Sequence, residues 1–428
     1  MVCQGTLQVG DNDLFLMRKI NFPHHSCGKS YFFRSVVAEK RNIWQFIAVY
    51  IQRIIPLEKE LETASVLFLG PRRCGKSSYI RHQAPPHRAY DLLKADVFNR
   101  LAARPSLIRE SLTDADRLIV IDEIQRLPAL MNEVHVMIEE SGIRFLLTGS
   151  SSVKLKRTHS SLLAGRARPR ILGGFVHAEI PHIDLTRRLR YGTLPPVILS
   201  DTPEDELDAY AGLYLQEEIR AEALSRNIES FSRFLQQAAL WNTEIVNFES
   251  VARDAQVPAR TIREYYHLLE ETLLGTLLTP LQTTGKRKSV TRAKFYFFDI
   301  GVVHSLTGDY ALTEGTPAFG KAIEHFVWRE LDAYRRYFSP RTQLHYWRDI
   351  HHAEVDFIWN HTVAIEVKST SLVHSADIKG LRAIDEQHDY PILRKMVVCR
   401  EPEFRRMGDV EIVPWQMFVE ELWQHRLT

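Results

Sequence analysis

Short apolar runs of strand length are separated by helical stretches in the first part of the chain. Three such runs are residues 64–70, 117–121 and 143–147. Continuous apolar runs of this length are typical of parallel strands that are buried on both faces of an α/β sheet. Apolar positions at helical spacing over residues 42–61 also predict an amphipathic helix just before the first strand.

The pattern changes twice in the rest of the chain. Residues 202–240 have apolar stripes at helical spacing between charged positions, and residues 247–270 indicate two helices joined by a tight turn near Pro258. The second segment predicts a helix-turn-helix of the winged type. Strand-like runs interleaved with helices then return at residues 294–298, 344–347, 353–358, 363–367 and 396–398.

Composition narrows the function classes only slightly. A chain of 428 residues is longer than one hydrophobic core normally serves, so we expect two or three domains. A hydrophobic content of 45% and a net charge of +2 argue against a globally basic nucleic-acid-binding surface. The four scattered cysteines argue against a zinc site or a disulfide framework. Without a long apolar run or a secretory signal, we expect a cytoplasmic protein with no membrane partner.

A phosphate-binding motif follows the first predicted strand. Residues 70–77 match GxxxxGK[ST] in full and precede a predicted helix, which is the context that the motif requires. Its backbone N–H groups surround phosphates, Lys76 reaches the β and γ oxygens, and Ser77 can ligate Mg²⁺. The motif therefore predicts ATP and Mg²⁺ as cofactors. The predicted nucleotide-binding residues here are Gly70, Arg73, Gly75, Lys76, Ser77 and Ser78.

Polar residues follow the other two predicted strands. Asp122 ends the second run, where its carboxylate can hold Mg²⁺ beside Ser77, and Glu123 is the candidate base that orients the attacking water. An acidic pair at this point can also simply favour the dipole of the next helix. Thr148 and its neighbours after the third run either sense the γ-phosphate or form an ordinary turn.

Three arginines lie close together in residues 163–170. An arginine directed at the γ-phosphate can raise the rate of phosphoryl transfer by about 10³ to 10⁵. Arg166 is the candidate for this catalytic role, within its own subunit or in a neighbouring one. The alternative is a solvated arginine cluster without a catalytic role.

A second constellation of charges lies in the C-terminal third. Glu366 and Lys368 are two residues apart, so they face the same side of a strand, and Asp356 lies on the preceding strand. Two carboxylates with a lysine can bind Mg²⁺ and help generate a metal-bound hydroxide. Glu324, on an upstream helix, is a further candidate metal ligand. A cross-strand salt bridge is the alternative interpretation of the same spacing.

These residues together resemble a family of prokaryotic AAA-like ATPases. Members of that family combine the phosphate-binding motif with a winged-helix middle and a terminal domain of unknown function. The matching segments are Asp-Glu-Ile-Gln-Arg-Leu-Pro at 122–128, Leu-Leu-Thr-Gly-Ser-Ser-Ser at 146–152, Leu-Ala-Gly-Arg at 163–166, Tyr-Gly-Thr-Leu-Pro at 191–195 and Tyr-Phe-Phe-Asp-Ile-Gly at 296–301.

The resemblance implies a function for each end of the chain. It implies ATP hydrolysis, and its terminal domain is similar to the PD-(D/E)xK restriction-endonuclease-like fold. Glu324, Asp356, Glu366 and Lys368 match the acidic and lysine positions of that fold. Residues 1–45 and Cys74 within the phosphate-binding motif depart from the family pattern.

The predicted fold class is α/β, with a P-loop NTPase parallel sheet, a helical and winged-helix middle, and a C-terminal restriction-endonuclease-like α/β domain. The predicted boundaries are 1–45 for an unassigned N-terminal extension, 46–180 for the P-loop ATPase domain, 181–240 for a helical lid or linker, 241–290 for the winged helix and 291–428 for the nuclease-like domain.

Three functions are compatible with this organisation. The leading hypothesis is an ATPase coupled to a nuclease-like domain that acts on or binds nucleic acid, DNA more than RNA. Basic residues including Arg260, Arg263, Arg292 and Lys294, with the loop 285–288, can contact its phosphates. The second is a regulatory ATPase whose C-terminal domain is inactive and binds a protein or nucleic acid. The third is a sequence-specific transcription regulator. The chain can also form a homo-oligomer.

Overall fold

The structure is a computed structural model that describes residues 50–150, 166–214, 228–281, 292–386 and 391–427. Residues 51–428 form one unit, to which all the elements below belong. Within the described ranges, no helix is long and apolar enough to cross a membrane. The predicted N-terminal extension, residues 1–45, lies outside the described residues.

The first part of the unit is built around a parallel sheet. Its strands are β1 (Ser65–Leu69), β2 (Arg88–Asp91), β3 (Leu118–Asp122), β4 (Arg144–Gly149) and β5 (Ala167–Ile171). Its helices are α1 (Leu57–Leu61), α2 (Lys76–His82), α3 (Ala95–Ala103), α4 (Leu107–Glu110) and α5 (Leu130–Ser141), with a 3₁₀ turn at Ile124–Arg126.

The strand order is β2-β3-β4-β1-β5, and every neighbouring pair is parallel. The three strands predicted from apolar runs are β1, β3 and β4, which confirms the α/β sheet. The sequence analysis missed β2 and β5, the two edge strands. Edge strands are covered on fewer sides and tolerate polar residues; β5 indeed contains two of the clustered arginines, Arg168 and Arg170.

The amphipathic helix predicted for residues 42–61 is largely wrong in its described part. Residues 50–56 are irregular, and only Leu57–Leu61 is helical. Pro56 explains the boundary, because a proline disfavours the helical conformation of the residue before it. The helix buries Leu57 and Leu61, whereas Ile51 and Ile54 of the predicted apolar face lie in the irregular segment. Residues 42–49 lie outside the described residues.

The middle part is mainly helical. Its helices are α6 (Leu185–Tyr191), α7 (Pro195–Ile198), α8 (Pro203–Ala209), α9 (Ile228–Leu240), α10 (Phe248–Ala255), α11 (Ala259–Glu271) and α12 (Ile300–Thr307), with a π-helical turn at Tyr210–Tyr214. Two antiparallel strands, β6 (Gly275–Leu278) and β7 (Lys294–Phe297), form a small sheet.

The predicted pair of helices near Pro258 is present as α10 and α11. The Asn247 side chain caps α10 by accepting hydrogen bonds from the backbone N–H groups of Glu249 and Ser250, both at 3.2 Å. The β6–β7 strands follow α11 in the order that a winged helix would have. The loop predicted as the wing, residues 285–288, lies outside the described residues, so the winged helix stays a prediction.

The C-terminal part contains a mixed sheet with the strand order β12-β13-β11-β10-β9-β8. Its strands are β8 (Leu344–Arg348), β9 (Glu354–Trp359), β10 (Val363–Val367), β11 (Arg394–Cys399), β12 (Arg405–Met407) and β13 (Val410–Pro414). Its helices are α13 (Pro317–Phe338), α14 (Lys379–Ala383) and α15 (Trp415–Trp423), with a 3₁₀ turn at Ile384–Glu386.

The buried carboxylate of Asp299 joins segments that are distant in sequence. It accepts hydrogen bonds from Thr193 N at 2.7 Å and from Gly301 N at 2.9 Å. Gly192 lies against it with a φ of +72°, and a Cβ there would be 1.8 Å from Asp299 Oδ1. The two family-like segments at 191–195 and 296–301 therefore pack on each other around one carboxylate.

We predict that Gly192→Ala destabilises the fold more than Gly142→Ala does. Gly142 is the control, because its φ of +62° is similar but nothing lies within 4 Å of its would-be Cβ. The left-handed backbone of Gly142, with a ψ of 18°, should cost its variant about 1 kcal/mol. Gly192 has a ψ of −158°, a region essentially restricted to glycine, so Gly192→Ala should lose about 1–3 kcal/mol from its backbone and about 1–3 kcal/mol more from the clash with Asp299. Thermal unfolding measures the difference; equal melting temperatures would contradict the close packing at Asp299.

Candidate functional site

The phosphate-binding loop is held by a buried ion pair. Arg53, 3% exposed, donates from Nε to Glu179 Oε1 at 3.0 Å. The same guanidinium donates to the carbonyl oxygens of Cys74 at 2.7 Å and Gly173 at 2.9 Å. Because a buried guanidinium needs several acceptors, these contacts fix the loop against the segment that follows β5.

The predicted residues of the loop meet the end of β3. Lys76 lies at the start of α2, and its ammonium donates to the carbonyl oxygens of Gly70 at 2.6 Å and Pro71 at 3.1 Å. The Ser77 hydroxyl donates to Asp122 Oδ2 at 3.2 Å. The parallel sheet produces this meeting, because the carboxyl ends of its strands lie at one edge. A hydroxyl beside a carboxylate fits Mg²⁺, which prefers hard oxygen ligands.

Thr148 connects the two acidic residues at this edge. It is fully buried at the end of β4; its hydroxyl donates to Asp122 Oδ1 and accepts from Glu123 N at 3.1 Å. Glu123 has a φ of +60°, which is uncommon for a residue with a side chain. The Gln125 amide donates to Glu123 Oε2. Thr148 therefore positions the Asp122 carboxylate, and Gln125 positions the Glu123 carboxylate.

A cleft of about 890 Å³ lies beside the phosphate-binding loop, Glu123 and Gln125. That volume is within the usual range of small-molecule sites. Of the predicted site residues, Arg73, Gly75, Lys76, Ser77, Ser78 and Glu123 line the cleft. Sequence analysis assigned no role to seven other lining residues: Arg72, Leu93, Gln125, Arg126, Pro195, Pro196 and Leu199.

The C-terminal acidic residues surround a lysine. The Lys294 ammonium lies 2.6 Å from Glu354 Oε1, 3.1 Å from Glu324 Oε1 and 3.2 Å from Asp356 Oδ1. The Tyr296 hydroxyl also donates to Glu324 Oε1, at 2.7 Å. Lys294 is 3% exposed, so the prediction that it contacts nucleic-acid phosphates is wrong. We call Lys294, Glu324, Glu354 and Asp356 the buried cluster.

Glu366 and Lys368 adjoin the buried cluster as the strand spacing predicts. Lys368 Nζ lies 2.5 Å from Glu366 Oε1, and the backbone N–H of Val367 donates to Asp356 Oδ2 at 2.9 Å. Glu366 Oε2 is buried without a hydrogen-bond partner in the described structure. Burial and the nearby Asp356 carboxylate raise the pKa of Glu366 well above its usual value, which favours the neutral carboxyl.

The buried cluster does not fit a metal ion. Lys294 places its positive charge between the carboxylates that would be the ligands, and in the described part of the chain no three acidic, histidine or cysteine side chains are arranged to hold a metal. Burial raises the pKa of Glu324 to about 7, although Lys294 opposes this shift. The predicted metal ligands Glu324, Asp356 and Glu366 are thus together, with a lysine among them.

The predicted basic surface of the middle part is partly neutralised. Arg260 on α11 lies 3.2 Å from Glu264, and Arg263 lies 3.0 Å from Glu249. All four side chains are exposed, so these pairs add little stability and can exchange partners.

Family models match three consecutive parts of the sequence. Residues 62–180 match an AAA domain. Residues 182–312 and 319–418 match two domains of unknown function, DUF8612 and DUF4143. A comparison with curated proteins gave no match.

Two solved structures are weakly similar in shape. The Aeropyrum pernix ORC1 protein in complex with DNA is 10% identical with a TM-score of 0.28, and the match covers 62% of this chain and 96% of that chain. The Aeropyrum pernix ORC2 protein, in ADPNP–ADP complexes, is 13% identical with a TM-score of 0.24 and coverages of 61% and 97%.

The matched AAA domain coincides with the parallel sheet and the phosphate-binding loop. The chain contains a P-loop ATPase domain of the AAA type.

Arg166 lies outside the cleft of the ATPase domain. Its Nε lies 2.5 Å from Glu139 Oε1 on α5, and both side chains are substantially exposed. Arg73, in contrast, lines the cleft and forms an ion pair with Glu206 on α8. The ATPase domain thus contacts the middle part through an arginine of its own phosphate-binding loop.

Several functional residues were not predictable from local patterns. Arg53 contacts Glu179, which is 126 residues away in the sequence. Lys294 contacts Glu324 and Asp356, which are 30 and 62 residues away. Of the apolar wall formed by Pro195, Pro196 and Leu199, only Pro195 belongs to the Tyr-Gly-Thr-Leu-Pro segment, so no sequence signal indicated the other two.

We predict that Arg53→Met lowers the stability of the ATPase domain by about 3–5 kcal/mol, because Glu179 would stay buried without its partner. Arg104→Met is the matched control: Arg104 pairs with Glu110 at 2.9 Å, but its side chain is 63% exposed. Its loss should cost less than about 1 kcal/mol. Thermal unfolding should show this order, and equal shifts for both variants would argue against the anchoring role of Arg53.

Proposed function

We propose that the chain binds and hydrolyses Mg²⁺–ATP in the cleft beside the phosphate-binding loop. The observation on which this proposal rests is the contact of Ser77 Oγ with Asp122 Oδ2 at 3.2 Å, next to the Lys76 ammonium. It brings together the hydroxyl, carboxylate and ammonium that phosphoryl transfer requires. Mg²⁺ held by Ser77 and Asp122 would neutralise charge on the phosphate oxygens.

Each side chain of the cleft has a separate task in this proposal. Lys76 exchanges its contacts with the Gly70 and Pro71 carbonyls for the β- and γ-phosphate oxygens. Glu123 orients the attacking water. Gln125 fixes the Glu123 carboxylate through the contact to Oε2, and Thr148 holds its backbone N–H. This support keeps the base in position before the nucleotide binds.

Nucleotide binding would affect the middle part directly. Pro195 and Pro196 begin α7 and line the cleft together with Leu199. Arg73 pairs with Glu206 on α8, so a phosphate that attracts Arg73 competes with that carboxylate. We infer that the nucleotide state changes the contacts of α7 and α8 with the ATPase domain.

The C-terminal domain serves, in our proposal, as a regulatory binding module. Metal-dependent cleavage, the other predicted activity, needs a cation where Lys294 lies. The partner class that we propose first for the chain is nucleic acid, DNA more than RNA, with the exposed Arg260 and Arg263 of the neighbouring middle part adding phosphate contacts; a protein is the alternative. Metal-dependent plasmid cleavage that Asp356→Ala abolishes would instead support a nuclease.

In this proposal, Arg166 can act in catalysis only at the cleft of a neighbouring subunit. Its side chain is exposed on the surface and does not line the cleft of its own chain. A homo-oligomer that brings Arg166 to a neighbouring cleft would supply the γ-phosphate with an additional positive charge.

We predict that the purified chain hydrolyses ATP and that Lys76→Ala and Glu123→Gln each reduce kcat at least about 100-fold. Lys59→Ala, an exposed lysine of α1, is the control and should leave the rate unchanged. The comparison is made by phosphate release with and without duplex DNA, single-stranded DNA and RNA. Stimulation by DNA would support the proposed partner.

Two results would contradict the proposed hydrolysis. The first is phosphate release that survives both substitutions, because it would come from another site or a contaminant. The second is no release under any condition from folded protein that binds Mg²⁺–ATP, which would indicate a nucleotide-binding switch without catalysis.

A further inference from the structure

We propose that the Lys294 ammonium occupies the position that a divalent metal ion would take in the C-terminal domain. The buried cluster contains a carboxylate from α13, Glu324, and two from β9, Glu354 and Asp356. All three lie within 3.2 Å of one ammonium group. A single cation thus gathers carboxylates from two elements, as a metal ion does.

Lys294 lies on a strand outside the C-terminal sheet. It begins β7, which pairs with β6 in the small sheet of the middle part. The backbone of Lys294 also bridges to Ile245, just ahead of α10. The ammonium therefore reaches across from the middle part into the C-terminal domain, and its side chain is 4% exposed.

Two aromatic rings keep the lysine in this position. Tyr346 on β8 lies with its ring 5.7 Å from Lys294 Nζ, a distance at which a ring face attracts a cation. The Tyr346 hydroxyl donates to the carbonyl oxygen of Arg292, two residues before Lys294. Tyr296 follows on the same strand and donates to Glu324. These contacts fix the chain on both sides of the lysine.

The charges around the buried cluster leave little attraction for an added ion. With the neighbouring Glu366 there are four carboxylates, and three cations contact them. Besides Lys294, these are Lys368, 2.5 Å from Glu366, and Arg348, 3.2 Å from Glu354. A divalent ion next to the Lys294 ammonium would be repelled strongly in such a buried place. Binding of a metal there requires the lysine to leave.

The consequence is a structural role for residues that resemble a nuclease site. The carboxylates bind Lys294 of β7 instead of a metal, and so attach the middle part to the C-terminal domain. This inference is independent of ATP hydrolysis, because none of these residues lines the nucleotide cleft.

The test is a titration of the nucleotide-free, full-length chain with Mn²⁺, in which free Mn²⁺ is measured by electron paramagnetic resonance. Lys294→Met removes the charge and keeps the length of the side chain. We expect it to gain one Mn²⁺ site, at least about 100-fold tighter than any at the buried cluster of the wild type. That site should disappear in Lys294→Met/Asp356→Asn.

Lys321→Met is the matched control, because Lys321 lies on the same helix as Glu324 but pairs with Glu244 and is 38% exposed. It should bind Mn²⁺ as the wild type does. Ser77→Ala identifies any signal that comes from the nucleotide cleft. ATP hydrolysis, measured on the same samples, reports separately on the proposed function.

Two outcomes would overturn the inference. One is a folded Lys294→Met protein that binds no additional Mn²⁺. The other is a wild-type site that Asp356→Asn removes and Ser77→Ala does not, because the metal would then bind with Lys294 present. The second outcome needs no lysine variant, so the inference stays testable if Lys294→Met does not fold.

Discussion

The carboxylate of Asp299, together with Arg329, holds the Thr193 segment at which the three parts meet. It lies directly after β7, caps α12 and accepts the backbone N–H of Thr193. Arg329 of α13 donates to the Thr193 hydroxyl at 3.3 Å and packs against Gly173, beyond β5. Burial raises the pKa of Asp299, while these backbone donors and Arg329 oppose the shift. Asp299 thus fixes two segments of the middle part to each other, and Arg329 links the Thr193 segment to α13 and to the segment that follows β5.

This junction positions both sites. On one side, Thr193 leads into α7, whose Pro195 and Pro196 form a wall of the nucleotide cleft. On the other side, β7 carries Lys294 into the buried cluster. Pro195 follows Thr193 by two residues and Lys294 precedes Asp299 by five, so both sites are attached to the same buried hydrogen bonds.

The sequence predicts those parts of the structure whose patterns are local. β1, β3 and β4 were predictable because strands in the centre of a parallel sheet are apolar throughout, and the phosphate-binding motif specifies its own strand–loop–helix context. The edge strands β2 and β5 were missed because their residues are polar. The helix before β1 was overestimated because periodicity does not register the effect of Pro56.

In the sites as well, contacts between residues close in sequence are predictable and contacts between distant residues are not. The spacing of Glu366 and Lys368 predicts their contact, because side chains two residues apart share a face of a strand. The position of Lys294 could not be predicted, because its partners Glu324 and Asp356 are 30 and 62 residues away. At the end of a basic loop, a buried lysine and a phosphate-binding one have the same local pattern. Only the fold distinguishes them.

The most direct test of Mg²⁺-dependent nucleotide binding in the cleft is calorimetric titration of the wild type and Ser77→Ala with a slowly hydrolysed ATP analogue, with and without Mg²⁺. If Ser77 and Asp122 hold the ion as their geometry indicates, the wild type should bind one analogue per chain, and Mg²⁺ should tighten that binding. Ser77→Ala should lose most of the Mg²⁺ effect. A folded wild type that binds no nucleotide, or the same Mg²⁺ effect in both proteins, would contradict the assignment of the cleft.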